Sequence, residues 1–225
     1  MCGRFASFSS TDDIARAFAV ELVLQGAAPS WNVAPTHEVS VVVEAVDEDQ
    51  SAPLRTLRTA RWGFVPSWAT SISGPPLINA RAETLVSKPS FRAAAKRHRA
   101  IVPANGYYEW TGTRAAKVPF FLHASDDGLL GFAGVYDWWR VADEWLCSVA
   151  IVTRPATDTL GHIHDRMPLV VPSDLVDAWL DPSLTSADGV DALLHSIPDP
   201  DLAPRRVGPE VGSVRNDHPG LIVPV

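Results

Sequence analysis

The middle of the chain alternates short apolar runs with turn residues. Between Ala100 and Thr153, runs rich in β-branched and aromatic residues are separated by turns such as 126–128. Short runs bounded in this way are typical of strands. The predicted strands cover residues 100–103, 107–110, 118–124, 129–136 and 145–153. This pattern predicts that strands, more than helices, build the core.

Helix and hairpin patterns flank this region. Ser10 followed by early carboxylates predicts a helix over about 11–22, and the runs 39–46 and 54–62 predict a hairpin around the polar turn 47–51. Further short helices are predicted over 89–96, 172–180 and 187–194. The whole predicts a single α+β domain over 1–225, with mixed or antiparallel sheets curling into a barrel-like core flanked by helices. Residues 198–225 are expected to form an extended tail packed on that domain.

Composition restricts the compartment and the cofactors. No apolar run approaches the roughly 20 residues that span a bilayer, and the amino terminus lacks the apolar stretch of a signal peptide. Cys2 and Cys147 are the two cysteines, which gives neither a disulfide framework nor zinc-ligand spacing. We therefore expect a cytoplasmic protein with no metal, no cofactor and no membrane partner. Cys147 lies in an apolar run and is expected to be buried.

The charge distribution is uneven along the chain. A net charge of −7 argues against a protein that binds duplex DNA through a wide basic face. Basic residues nevertheless concentrate in the first half, which predicts a basic cleft on an acidic body. They are Arg4, Arg55, Arg58, Arg61, Arg81, Arg92, Lys96, Arg97 and Arg99.

Cys2 offers a distinctive chemistry. Gly3 follows it, and a residue as small as Cys at position 2 permits removal of Met1, which would leave Cys2 with both a free amine and a thiol. These groups ordinarily titrate near pH 8 to 8.5, so both keep a nucleophilic fraction in the cell. With an aldehyde, the amine forms a Schiff base and the thiol closes a five-membered thiazolidine ring. Cys2 could also be an ordinary chain terminus.

Three segments combine aromatic, polar and Pro or Gly residues: 31–36, 62–68 and 78–84. Eight tryptophans in 225 residues is a high content, and Trp in predicted loops suits stacking on bases. Core packing is the alternative for Trp31, whereas Trp68 favours a stacking function.

Two further positions suggest proton transfer and anion binding. Glu109 lies in an otherwise apolar, aromatic strand, where burial would raise its pKa toward the range useful for acid–base catalysis. It would face solvent instead if the strand alternation points it outward. His164 and Arg166 follow in the segment 161–168, where His suits proton transfer and Arg suits phosphate.

Seven motifs together resemble one known family, SRAP (SOS-response-associated peptidase). The resemblance covers nearly the whole chain, and the motifs keep the family's order and approximate spacing. The motifs are Met1–Phe5, Asn32–Thr36, Trp62–Phe64, Asn79–Thr84, Gly106–Trp110, His164–Pro168 and Ser213–Asn216. Trp31 stands where many members carry Tyr.

The resemblance implies a monomer that captures abasic sites in single-stranded DNA through a thiazolidine on Cys2. It implies a DNA-damage enzyme, nucleoid-associated in a bacterium, with lyase- or peptidase-like character that includes self-processing of Met1. The implied catalytic residues are Cys2, Asn79, Glu109 and His164. The implied DNA-binding residues are Arg4, Asn32, Pro35, Trp62, Trp68, Arg81 and Arg166.

Two other functions stay open on the sequence. An N-terminal Cys nucleophile also suits amide hydrolysis, as in amidotransferases that begin Met-Cys-Gly. A non-catalytic reader of single strands or modified bases would need the Trp and Arg residues but not Cys2.

Overall fold

The core is a closed barrel of five strands. A computed structural model describes residues 2–46, 52–113, 116–141, 143–156 and 162–225. The strands are β1 (Phe5–Ser7), β2 (Leu22–Val23), β3 (Ser30–Val33), β4 (Glu38–Val46), β5 (Pro53–Trp62), β6 (Asn79–Arg81), β7 (Arg99–Ala104), β8 (Gly106–Thr113), β9 (Ala116–Ala124), β10 (Leu130–Val141), β11 (Glu144–Pro155), β12 (Arg166–Pro168) and β13 (Leu202–Arg206). Strands β11, β10, β7, β4 and β5 are antiparallel neighbours, and a parallel pairing of β5 with β11 closes the ring.

A second sheet covers one side of the barrel. Its five strands run in the order β13, β9, β8, β1 and β3, and every neighbouring pair is antiparallel. The barrel sheet is extended at its edges by β2, β6 and β12. The α+β class and the barrel-like core predicted from the sequence are therefore confirmed.

Strand alternation divides the apolar residues into layers. Val41 and Val43 pack inside, with residues of the second sheet, whereas Val42 packs outside against the helices. This is the period of two expected when successive side chains point to opposite faces of a strand. The second sheet is covered on its other face by the C-terminal segment, where Tyr108 and Phe121 contact Val211 and its neighbours.

Within the described residues, four α-helices flank the barrel: α1 (Thr11–Ala17), α2 (Arg92–Arg97), α3 (Val176–Leu180) and α4 (Ala187–Ser196). Ser10 caps α1, since its Oγ accepts a hydrogen bond of 3.1 Å from the Asp13 N–H. The prediction of a helix to residue 22 was wrong, because Ala19 has a positive φ of 50° and Leu22 begins β2. No helix in the described ranges is long and apolar enough to cross a membrane.

The hairpin and all five central strands were predicted correctly. Strands β4 and β5 form the hairpin, while the predicted turn 47–51 lies outside the described residues. The C-terminal segment is less extended than expected. After the extended strand β13 it forms two 3-10 turns, Pro209–Gly212 and Pro219–Ile222.

Candidate active site

The four predicted catalytic residues gather where the barrel meets the second sheet. The Asn79 side-chain amide donates a hydrogen bond of 2.9 Å to the Cys2 carbonyl oxygen. Glu109 lies close enough to act electrostatically on the Cys2 thiol. Glu109 and His164 line one small pocket together with Tyr107 and Arg166. Residues from three distant parts of the sequence thus surround the amino-terminal segment.

Cys2 is fully buried just before β1. Its Sγ lies 3.9 Å from the Arg4 carbonyl oxygen, as a weak S–H donor. Burial raises the pKa of the Cys2 thiol well above its usual range, and the nearby Glu109 carboxylate raises it further. In the chain that begins with Met1, the structure therefore holds this sulfur as a protonated thiol.

Asn79 is placed by its strand. Strand β6 pairs in parallel with β11, with Asn79 opposite Ile151, and this pairing aims the side chain at Cys2. The Asn79 Oδ1 is buried, and no hydrogen-bond donor among the described residues reaches it. A buried acceptor normally has a partner, so this oxygen is suited to receive a donor from a bound molecule.

Glu109 is directed inward by the alternation of β8. Gly106 begins this strand, where an added Cβ would stand 2.6 Å from the Leu122 carbonyl oxygen. Tyr107 then packs in the interior and Tyr108 on the opposite face, so Glu109 returns to the interior and is 5% exposed. Burial raises the pKa of Glu109 to about 7, which agrees with the expectation from the sequence.

His164 follows a turn at residues 162–163 and precedes β12. Its Nδ1 is 2.9 Å from the Arg166 backbone N–H and 2.9 Å from an Asp165 carboxylate oxygen. The first contact requires a bare Nδ1 and the second a protonated one. We favour the first because burial lowers the pKa of His164 and Asp165 is largely exposed. The imidazole then carries its proton on Nε2.

Arg166 is already engaged within the protein. Its two terminal nitrogens pair with the two carboxylate oxygens of Glu83, and Nη2 also donates to the Thr153 carbonyl oxygen at 2.6 Å. Its buried Nε has no acceptor among the described residues. The fork predicted to hold phosphate is thus occupied by a carboxylate. Glu83 was not singled out from the sequence, although it lies within the motif 79–84.

Arg4 and Asn32 anchor the C-terminal segment. Arg4 Nη1 donates to the Asn32 side-chain oxygen at 2.8 Å and to the Val211 carbonyl oxygen at 2.9 Å. The Asn32 amide donates to the carbonyl oxygens of Ser213 and Asn216 at 3.0 and 2.7 Å. Asn32 is 1% exposed, so its predicted contact with DNA has no surface to act through in this structure.

The tryptophans divide into interior and surface groups. Trp62 ends β5 with no exposed surface, donates its indole N–H to the Ile78 carbonyl oxygen and packs edge-on against Phe5. Such a ring pair contributes about 0.5–1.5 kcal/mol beyond its burial. The expectation of an exposed stacking loop is therefore wrong for Trp62. Trp31 lies on β3 and stacks on Phe8.

Three predicted DNA contacts do lie at the surface. Trp68 is 66% exposed, Arg81 is exposed and Pro35 is half-buried.

Two of the residues predicted to form a basic cleft, Arg55 and Arg99, are buried instead. Arg55 pairs with Glu44 and Asp177, and Arg99 donates to backbone carbonyl oxygens of α2 and the α3 region. Within the described ranges, no three His, Cys, Asp or Glu side chains group in a way that could hold a metal ion.

Comparison with known proteins identifies relatives along the whole length. A family profile described as SOS response associated peptidase (SRAP) matches residues 1–214. The abasic site processing protein YoqW of Bacillus subtilis (strain 168) is 34% identical over 227 residues, which cover 99% of each chain. The abasic site processing protein HMCES of Gallus gallus is 30% identical, over 88% of this chain and 66% of that one.

Solved structures share the fold. A protein from Bacteroides thetaiotaomicron superposes with a TM-score of 0.81 at 21% identity, over the full length of both chains. A phage-related protein from Bordetella bronchiseptica gives a TM-score of 0.72 at 27% identity, over 92% of this chain and 94% of that one. The barrel and its covering sheet are therefore a recurrent architecture.

Proposed function

This chain belongs to the SOS response associated peptidase (SRAP) family, and from that membership we propose that it captures abasic sites in single-stranded DNA as a covalent adduct of Cys2. The names of YoqW and HMCES support the abasic-site part of the proposal. The covalent part is supported by one observation above all: Cys2 is held by Asn79 beside Glu109, a buried acid with a pKa of about 7.

The chemistry begins once Met1 is removed, because the amine of Cys2 is otherwise in a peptide bond. An abasic sugar in its open form carries an aldehyde at C1′. The Cys2 amine adds to that carbon, and loss of water gives an imine. The thiol sulfur then adds to the imine carbon and its proton ends on the ring nitrogen, which completes the thiazolidine. Closure is favoured because both nucleophiles belong to one residue.

Glu109 is suited to move the protons in these steps. Because burial raises the pKa of Glu109 toward neutrality, both its acid and its base form are accessible near neutral pH, so it can protonate the departing hydroxyl and take the thiol proton. His164, with a proton on Nε2, is suited to donate to the sugar or to a phosphate oxygen. The Asn79 Oδ1, which has no donor among the described residues, can accept a hydrogen bond from the Cys2 ammonium group or from a sugar hydroxyl.

The DNA would approach across the exposed residues near this pocket. Arg81 extends from the end of β6, beside Asn79, and is suited to a phosphate. Trp68 and Pro35 present surfaces for an unstacked base. Arg166 would contribute through donors that Glu83 and Thr153 leave unused, and Arg4 would act indirectly by fixing the amino-terminal segment.

A denaturing gel tests the proposal directly. Protein with Met1 removal verified by mass spectrometry is incubated with a labelled single-stranded oligonucleotide that carries one abasic site. We expect a denaturation-resistant slow band for the wild type and none for Cys2→Ala or for an intact oligonucleotide.

Two results would overturn the proposal. If Cys2→Ala forms the same band, another residue is the nucleophile. If the processed wild type forms no band but hydrolyses glutamine or a peptide, the amidohydrolase function replaces abasic-site capture.

A further inference from the structure

A second cleft opens at the seam of the barrel. Strands β5 and β11 pair at only two positions, Arg61–Trp62 with Ser148–Val149, and they separate on the side toward the start of β11. The gap is a cavity of about 380 Å³. It is lined by Leu24, Gln25, Glu38, Arg58, Thr59, Ala60, Arg61, Trp138, Trp145, Leu146 and Cys147. None of the catalytic residues lines it.

The seam cleft carries two aromatic rings with guanidinium groups beside them. Arg58 lies 5.3 Å over the Trp138 ring, and Arg140 lies 5.9 Å from the Trp145 ring. Trp145 is 61% exposed, so much of its ring is free to contact a bound molecule. The chemistry is that of a site for a planar base with a phosphate attached.

Arg58 keeps hydrogen-bonding capacity that the protein does not use. Its buried Nε has no acceptor among the described residues, and its half-buried side chain forms no salt bridge with them. Glu38 contributes one negative charge to the cleft, against the two positive charges of Arg58 and Arg61. The cleft is therefore locally basic on a protein whose net charge is −7.

The seam cleft adjoins a second hollow, which Trp68 lines. Arg61 lines both cavities, and it donates to the carbonyl oxygen of Gly63, which lines the hollow. Along β11, Cys147 in the cleft is four residues from Ile151, the partner of Asn79. At about 3.3 Å per residue that is roughly 13 Å, or about four stacked nucleotides at 3.4 Å each.

We propose that the seam cleft binds a nucleotide of the same DNA strand, several positions away from the abasic site, with its base on Trp145 and Trp138 and its phosphate at Arg58. This proposal rests on the proposed function for the identity of the strand. It adds a second contact that would let a long single strand be held at two points. The cleft makes the length of the flanking strand a determinant of affinity.

The test compares oligonucleotides of different length. Equilibrium binding is measured with intact single strands and with strands carrying an abasic site, flanked by about two or about eight nucleotides on the 5′ side, the 3′ side or both. We expect wild type to bind the longer strands more tightly when the extension is on the side that leads to the cleft. Trp145→Ala should reduce affinity for those strands about fivefold or more and leave the short strands unaffected.

Matched variants separate stacking from loss of structure. Trp145→Phe keeps an aromatic face and should restore most of the length effect, and Arg58→Gln should weaken it. Arg16→Gln removes the same charge from an exposed position of α1 and should leave the length effect unchanged.

Three outcomes would refute the seam site. The length effect could be absent in wild type, it could survive in both Trp145→Ala and Arg58→Gln, or Arg16→Gln could reduce it as much. Failure of the proposed function would look different. In that case no abasic strand of any length gives a denaturation-resistant band, while intact strands can still show the length effect.

Discussion

The two ends of strand β11 are built in opposite ways. At its C-terminal end, Thr153 accepts from Arg166, Glu83 holds the guanidinium of Arg166, and the neighbouring β6 places Asn79 against Cys2. At its N-terminal end, β11 leaves β5, and Trp145 stands 61% exposed beside an open cleft. One end is closed and hydrogen-bonded, and the other is open and aromatic.

This difference matches two physical requirements. Bond formation at Cys2 needs groups fixed in advance, because small displacements of the reacting atoms are costly to rate. Holding a flexible strand needs accessible rings and charges that tolerate any sequence. We therefore expect that changes of the buried groups at the closed end alter the rate of adduct formation, whereas changes of exposed rings and charges alter affinity.

The largest expected effect is on the rate of adduct formation when Glu109, at the closed end, is replaced. Glu109→Gln keeps the size of the side chain but cannot exchange a proton, so adduct formation should slow by a factor on the order of 10² to 10⁴. Affinity for an intact single strand should change little. Single-turnover kinetics on the denaturing gel measure the rate, and Glu144→Gln, at an exposed position, serves as the control. Equal losses of rate and affinity would contradict the division.

A second test measures how the free energy of unfolding depends on pH, because burial of Glu109 at the closed end makes the fold less stable when this group is ionised. The folded-state pKa of Glu109 is raised from 4.5 to about 7, so between these values the folded protein keeps a proton that the unfolded chain has lost. Stability should therefore fall as pH rises through that window, by about 3 kcal/mol for this group. Urea unfolding at about pH 5 and about pH 8 measures the difference. Glu109→Gln should show a smaller fall with pH than wild type or Glu144→Gln, and parallel curves would refute the assignment.

The smallest expected effect comes from an exposed residue at the closed end, opposite Thr153 of β11. Arg81 is exposed beside Asn79, and loss of one phosphate contact lowers the slope of log K against log salt by about 0.7 for single strands. Arg81→Ala should therefore bind intact single strands more weakly with a shallower salt dependence. Fluorescence titrations at several salt concentrations test this against Arg16→Ala. A slope equal to that of wild type would place Arg81 away from the phosphates.

Much of the barrel follows from local sequence patterns. The hairpin of β4 and β5 and the strands β7 to β11 are long apolar runs whose alternation is visible without any tertiary information. Strands β1, β3, β6 and β12 have three or four residues each. They form because a neighbour offers a free edge: β8 for β1, β1 in turn for β3, and β11 for β6 and β12. Propensity over so few residues cannot predict such pairing.

The site could be predicted by residue type but not by exposure. Glu109 was expected to be buried because its neighbours are apolar, and the structure agrees. Trp62 and Asn32 were expected at a DNA surface, yet both lie inside. Trp62 points from β5 into the core against Phe5, and the C-terminal segment covers Asn32. Arg166 shows the same limit, since its partner Glu83 lies 83 residues away in sequence. Pairing over that separation is decided by the fold.

The link between Arg4 and the Val211 carbonyl oxygen spans 207 residues and has a consequence for timing. A ribosome adds roughly 5 to 20 residues per second, so the anchor for Arg4 is made roughly 10 to 40 s after Arg4 itself. Through that interval the amino-terminal segment of the nascent chain lacks its final support. The Met1 removal required by the proposed chemistry thus has a period in which it can occur before Cys2 is enclosed.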